Sequence, residues 1–77
     1  FFENHLELYP NPSSGKIFIN TPFSDVNYSI YSIDGRMVID TRKLTSSNPL
    51  NLNLNKGTYL IKFTHENSSF FKQIIIH

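Results

Sequence analysis

Residues 26–40 read VNYSIYSIDGRMVID, and this stretch decides the fold class. Side chains that favour a pleated surface, β-branched and aromatic, lie on both sides of the dipeptide Asp34-Gly35. An Asp-Gly pair accepts positive φ at both central positions of a two-residue hairpin loop. The stretch therefore predicts two antiparallel strands, over residues 26–33 and 36–40, with no helix anywhere between residues 26 and 40.

The same pattern of short apolar runs separated by turn residues extends in both directions from this hairpin. It is clearest at residues 50–54 (LNLNL), where apolar and polar side chains alternate with the period of a strand. The candidate strands cover residues 6–9, 16–20, 26–33, 36–40, 50–54, 58–64 and 70–76. Seven short strands in 77 residues predict a single all-β domain, folded as a small antiparallel β-sandwich.

Charge and composition exclude several classes of function. The chain has 7 basic and 6 acidic residues, and the basic ones are scattered from Lys16 to Lys72 without forming a stripe. Nucleic-acid binding needs such a stripe, so we expect no nucleic-acid partner. The longest apolar run, at residues 74–76, is far too short for a transmembrane segment. Because cysteine is absent, no disulfide reinforces the core, and we expect the fold to depend on packing.

Catalytic and metal-binding patterns are equally absent from the sequence. His5, His65 and His77 stand far apart, without a cysteine or a second ligand at metal-binding spacing. The segment at residues 65–68 (HENS) is interpreted as a turn instead of an acid/base pair. No serine lies in a Gly-x-Ser-x-Gly motif, and all three glycines fall at strand boundaries. The sequence predicts no catalytic residue, no metal and no cofactor.

The N-terminal sequence bears on domain organisation. The chain begins FFE, without an initiator Met and without a charged-then-apolar signal peptide. We therefore expect residues 1–77 to be one domain excised from a longer precursor, with any export signal upstream.

Four motifs, in this order along the chain, resemble those of type A C-terminal sorting domains of the bacterial type IX secretion system. They lie at residues 8–19 (LYPNPSSGKIFI), 31–38 (YSIDGRMV), 56–61 (KGTYLI) and 71–76 (FKQIII). Each motif alone is common, and their order over nearly the whole chain carries the resemblance. The chain departs from the pattern at His77, where the family commonly ends in a basic residue.

The resemblance implies a fold, a function and a set of partners. The fold is a small immunoglobulin-like sandwich, and the function is a signal read by an outer-membrane secretion translocon. An upstream cargo would be exported through the periplasm to the cell surface or the extracellular space. A sortase-like protease would remove the domain, which is then the substrate of an enzyme and not itself an enzyme, and the cargo would end either free or attached to lipopolysaccharide. The residues assigned to the sorting motif and its recognition are Tyr9, Pro10, Asn11, Pro12, Gly15, Gly35, Gly57, Tyr59, Lys72, Ile74, Ile75, Ile76 and His77.

The same residues also have purely structural interpretations. Pro10 and Pro12 remove two backbone donors and fix φ, so that together with Asn11 they form a rigid corner. Ile74–Ile76 would be a strand covered on both faces. Two other function classes stay open: an adhesive or carbohydrate-binding module that uses exposed tyrosines, and a passive spacer.

The closing run at residues 70–77 (FFKQIIIH) supports a hypothesis about mechanism. A strand that is apolar on both faces is an aggregation hazard when it is bare, and Lys72 would act as a gatekeeper charge. We expect the translocon to recognise this strand together with the corner at residues 9–12, by strand addition.

Overall fold

The computed structural model of the chain describes residues 3–9, 14–44 and 50–77. These residues form a single 3-10 turn, Glu3–His5, and seven strands. The strands are β1 Glu7–Tyr9, β2 Lys16–Asn20, β3 Val26–Ser32, β4 Met37–Lys43, β5 Leu50–Asn51, β6 Gly57–His65 and β7 Ser68–Ile76. Within the described residues there is no α-helix, in agreement with the prediction for residues 26–40.

The strands form two antiparallel sheets. β1, β2 and β5 make a three-stranded sheet in the order β1-β2-β5, and the other four make a sheet in the order β4-β3-β6-β7. Every pair of neighbouring strands is antiparallel. The predicted all-β sandwich of about seven strands is confirmed.

One continuous core lies between the two sheets. Alternation along each strand sends every second side chain inward, so that Ile17 and Ile19 of β2 meet Ile30 of β3 and Phe63 of β6 in a single buried cluster. Phe63, Ile17, Ile30, Ile61 and Ile74 are completely buried. Each such side chain contributes about 1.5–3 kcal/mol through removal from water.

The β5 region differs from its prediction in length. A strand was expected over residues 50–54, whereas only Leu50–Asn51 pairs with β2. Beyond this pair the Leu52 amide donates to the Gly15 carbonyl at 2.6 Å, and the backbone then leaves the sheet. The inward side of the alternation persists, because Leu52 is buried and Leu54 packs partly against the core.

The β3–β4 hairpin has Asp34-Gly35 at its tip, as predicted, but its loop has three residues instead of two. The Ser32 amide donates to the Arg36 carbonyl at 2.8 Å, and the Gly35 amide donates to the Ser32 carbonyl at 2.9 Å. Only Gly35, with a φ of 94°, is left-handed in this loop. The two-residue geometry predicted from Asp-Gly was therefore wrong, and Gly35 closes a three-residue loop.

Side chains of the loop explain this geometry. The Ser32 hydroxyl donates a hydrogen bond to the Asp34 carboxylate, and the Arg36 amide donates to the Ser32 hydroxyl oxygen at 3.2 Å. These contacts tie the residue before the turn to the residues that follow it. The hydrogen bond from Ser32 is also the main reason why the pKa of Asp34 lies below its ordinary value.

The β6–β7 hairpin turns within the segment at residues 65–68, which the sequence predicted to be a turn. His65 and Ser68 are cross-strand partners, so Glu66 and Asn67 form the loop. Glu66 adopts a φ of 54°, a left-handed conformation that is unfavourable for a residue with a side chain. The tight loop brings β6 and β7 into register over their full length.

Candidate recognition surface

The structure brings two of the family's motifs together at one corner of the four-stranded sheet. β6 begins where β7 ends, so that Gly57 pairs with Ile76 and Tyr59 pairs with Ile74. Residues 56–61 and 71–76 are separated in sequence by residues 62–70 and lie on the two strands of the β6–β7 hairpin. We call the corner formed by Gly57, Tyr59, Ile74, Ile75 and Ile76 the terminal corner.

Tyr59 anchors the loop that enters the terminal corner. Its hydroxyl donates to the carbonyl oxygen of Asn55 at 2.7 Å. Its ring lies partly buried against the core. Gly57 lies between these two partners, and a Cβ there would be 3.8 Å from the Tyr59 ring, an ordinary contact. The Gly-x-Tyr motif therefore has a structural role in this chain, since the tyrosine holds the turn before β6.

The three consecutive isoleucines have different environments. Ile74 is fully buried and Ile76 is 4% exposed, whereas Ile75 is 41% exposed on the opposite face. The structural interpretation of a strand covered on both faces is therefore wrong for β7. Its outward side chains, which include Phe71 and Ile75, are exposed. His77 follows β7 and is exposed as well.

Lys72 lies on the inner face of β7. It is the cross-strand partner of the buried Ile61 and falls between Phe70 and Ile74 in the alternation, half-buried itself. β7 is the outermost strand in the order β4-β3-β6-β7. A lysine that points inward from an outer strand opposes the flat stacking on which aggregation depends. Its gatekeeper role, like strand addition, stays a prediction.

The N-terminal motif is only partly within the described residues. Tyr9 ends β1 with its side chain half exposed, and its ring stacks on Phe18 with centroids 5.5 Å apart and an interplanar angle of 10°. One face of the Tyr9 ring is thus used in packing, as expected for a sheet-edge tyrosine. Pro10, Asn11 and Pro12 lie outside the described residues, so the predicted rigid corner stays a prediction.

Gly15 has a structural role that the sequence interpretation missed. It is buried, has a φ of 107°, and a Cβ built on it would lie 2.8 Å from the carbonyl oxygen of Leu52. The backbones of the two residues are also joined by the 2.6 Å hydrogen bond from the Leu52 amide. Only glycine allows this approach without distortion, because a Cβ would force the backbone of residue 52 to shift. Gly35, by contrast, lies at the exposed tip of the β3–β4 hairpin, and β6 separates that hairpin from β7.

The titratable side chains do not converge on a reactive centre. His65 and Glu66 approach to 4.0 Å between Nε2 and Oε2, but the glutamate is 82% exposed and the histidine ring packs on Phe23 at 4.7 Å. Within residues 3–9, 14–44 and 50–77, no group of three or more His, Cys, Asp or Glu side chains is placed to hold a metal ion. The same ranges contain no helix with the length and apolar character needed to cross a membrane.

These features define a small antiparallel sandwich module that presents motif residues at a strand end and lacks a catalytic constellation in its described part. The family described as secretion system C-terminal sorting domain matches residues 7–77. The chain belongs to this family, the C-terminal sorting domains of type IX secretion. No curated protein matches the chain.

Membership of the family establishes the function in general terms. The domain is a C-terminal sorting signal of type IX secretion, and proteins that carry such a domain are exported to the cell surface or the extracellular space. The family is one of sorting signals and is non-catalytic. The resemblance inferred from the four motifs is thereby confirmed.

Proposed function

We propose that the domain directs a cargo, carried upstream on the same precursor, across the outer membrane, and that a sortase-like protease removes the domain after export. The terminal corner is the part of the signal that the translocon contacts. Residues 1–77 act in this proposal as one independent module, and the secretion machinery, the protease and the upstream cargo are its partners.

One observation carries the proposal about the site: the pairing of Gly57–His65 with Ser68–Ile76. This pairing joins two motifs of the family into one surface, with Ile74 and Ile76 buried and Ile75 projecting outward. A buried side chain on each side of Ile75 holds its backbone in a defined extended conformation. A partner therefore meets a pre-organised side chain, which lowers the entropic cost of recognition.

Removal by a protease is compatible with the same architecture. The family match begins at Glu7, the first residue of β1. Cleavage N-terminal to Leu6, which is 4% exposed and belongs to the core, would remove the sandwich as a unit and leave none of its strands on the cargo. Mass spectrometry of an exported reporter tests this step: the expected product lacks residues 7–77, and an exported reporter that retains the whole domain would contradict it.

Export of a fusion protein tests the signal itself. A periplasmic reporter fused to residues 1–77, in a host with type IX machinery, should appear outside the cell. Deletion of residues 72–77 should leave the reporter in the periplasm. Because this deletion also removes the buried Ile74 and Ile76, a point variant is needed that keeps the fold.

Ile75→Thr supplies that variant. It keeps a β-branched side chain at an exposed position, so the sandwich should remain folded while export falls. Gln73→Thr is its matched control, because Gln73 is exposed on the same face of the same strand. If folded Ile75→Thr is exported as well as Gln73→Thr, Ile75 is not part of the signal.

A further inference from the structure

The outer face of the four-stranded sheet, which points away from the core, carries several exposed apolar side chains. Met37, Phe71 and Ile75 lie on this face and are 45%, 53% and 41% exposed, and Ile33 of the adjoining hairpin loop is 64% exposed. The described residues include only one other exposed large apolar side chain, Tyr9 on the other sheet. Clustering of this kind marks a contact surface more often than scattered apolar residues do.

Tyr31 lies between the other apolar side chains of this face. It lies on β3 directly opposite Met37 of β4 and Leu60 of β6. Its ring centroid is 6.1 Å from that of Phe71, two strands away on β7. Lys62 is the cross-strand partner of Phe71, and its Nζ lies 6.0 Å from the Phe71 ring centroid. We call Tyr31, Met37, Leu60 and Phe71 the outer patch.

Beside the outer patch the same face contains a small polar hollow. Ser29, on β3, is 4% exposed and has a short side chain, whereas the residues around it have longer side chains. The hollow has a volume of about 140 Å³, and its walls include side chains of Asn27, Tyr31, Thr41, Lys62 and Thr64. Each of these side chains can donate a hydrogen bond. Lys62 is the charged member of the wall, and none of the wall residues is acidic.

The charge at the hollow favours an acidic partner. Lys62 projects to the outer face because its neighbours Ile61 and Phe63 are buried in the core, whereas Lys72, the cross-strand partner of Ile61, lies on the inner face. Lys62 lies where the outer patch and the hollow meet. An ammonium group together with neutral hydroxyl and amide donors matches the acceptors of a carboxylate. Apolar side chains of a partner would cover the outer patch at the same time.

We propose that this outer face docks a protein partner whose contacting segment carries apolar side chains next to an Asp or Glu carboxylate. The carboxylate enters the hollow beside Lys62, and the apolar side chains cover Tyr31, Met37 and Phe71. The proposal rests on the proposed function, since the partner is a component of the secretion machinery. The outer face would then steer the encounter electrostatically while the apolar contact supplies affinity.

Export of the reporter fusion tests the proposal with two variants. Lys62→Glu reverses the charge at the hollow, and Phe71→Thr removes an exposed ring while keeping a residue that favours strands. Loss of a buried aromatic or charged contact at the centre of an interface costs about tenfold or more in affinity. We expect each variant to lower the exported fraction by about tenfold. Lys62→Arg keeps the positive charge and should leave the exported fraction at the level of the unmodified fusion.

The controls separate docking from folding and from the sorting signal. Arg42→Glu makes the same charge change at another exposed residue of the sheet and should leave export unchanged. Circular dichroism and thermal melting of the purified fusions must show that the variants fold. If the unmodified fusion is not exported, the proposed function fails. If the unmodified fusion is exported, and the folded variants Lys62→Glu and Phe71→Thr are exported equally well, the docking face is refuted while the proposed function stands. If export of Lys62→Glu is unchanged while export of Phe71→Thr falls, the proposal of a carboxylate on the partner is also overturned.

Discussion

Replacement of Gly15 by alanine should destabilise the domain more than any other single glycine substitution at a described turn. With a φ of 107°, residue 15 has a backbone conformation that costs a residue with a Cβ about 1–2 kcal/mol. The new Cβ would also lie 2.8 Å from the Leu52 carbonyl oxygen. Because this neighbour is backbone, residue 52 must shift, which weakens the hydrogen bond between the two residues by about 1 kcal/mol.

The shift also disturbs the core, because Leu52 is 8% exposed and belongs to the buried cluster. Partial loss of its burial adds about 1 kcal/mol. The sum is about 3–4 kcal/mol, a large part of the roughly 4–12 kcal/mol expected for a domain of this size. Gly15→Ala should therefore lower the melting temperature by about 15 °C or more.

Gly35→Ala is the matched control for this prediction. Its φ of 94° imposes a similar conformational cost, but a Cβ at residue 35 would have no heavy atom within 4 Å. We expect a loss of about 1–2 kcal/mol, or about 5–10 °C. Urea and thermal denaturation of both variants measure the difference. If Gly15→Ala is no less stable than Gly35→Ala, the close approach to Leu52 does not determine the role of Gly15.

Three further predictions concern local contacts. Tyr59→Phe removes the donor to the Asn55 carbonyl and should cost about 1 kcal/mol in urea denaturation; an unchanged midpoint would contradict the anchoring role. Glu66→Gly should stabilise the domain by up to about 1 kcal/mol, because glycine adopts a φ of 54° without the steric cost of a Cβ. Destabilisation would show that contacts of the Glu66 side chain outweigh this cost. The pKa of Asp34 is lowered in the folded state, so its contribution to stability is present above the ordinary value of 3.8 and is lost as pH falls through the folded pKa. Ser32→Ala should weaken the dependence of the melting temperature on pH below the ordinary pKa of 3.8, where this contribution is lost.

The positions of several strands followed from the sequence, although β4 continues to Lys43 instead of ending at residue 40, and β5 ends at Asn51 instead of residue 54. The alternation along residues 16–20 and 26–32 matched the observed strands closely, because the period of two is a property of the local backbone. The order of four motifs was sufficient to identify the family, because it spans nearly the whole chain. A pattern of alternating leucines also placed Leu52 in the core, although the pairing of β5 ended before it.

Contacts between distant residues were decided only by the tertiary structure. The length of the β3–β4 loop depended on the side chains of Ser32 and Asp34, which compete with the two-residue geometry that Asp-Gly favours elsewhere. The contact of Gly15 with Leu52, the pairing of Gly57 with Ile76, and the approach of Phe71 to Tyr31 all join segments that are far apart in the sequence. Local patterns determine which face of a strand a side chain occupies. Its neighbours on that face depend on register and strand order, which the packing of both sheets determines together.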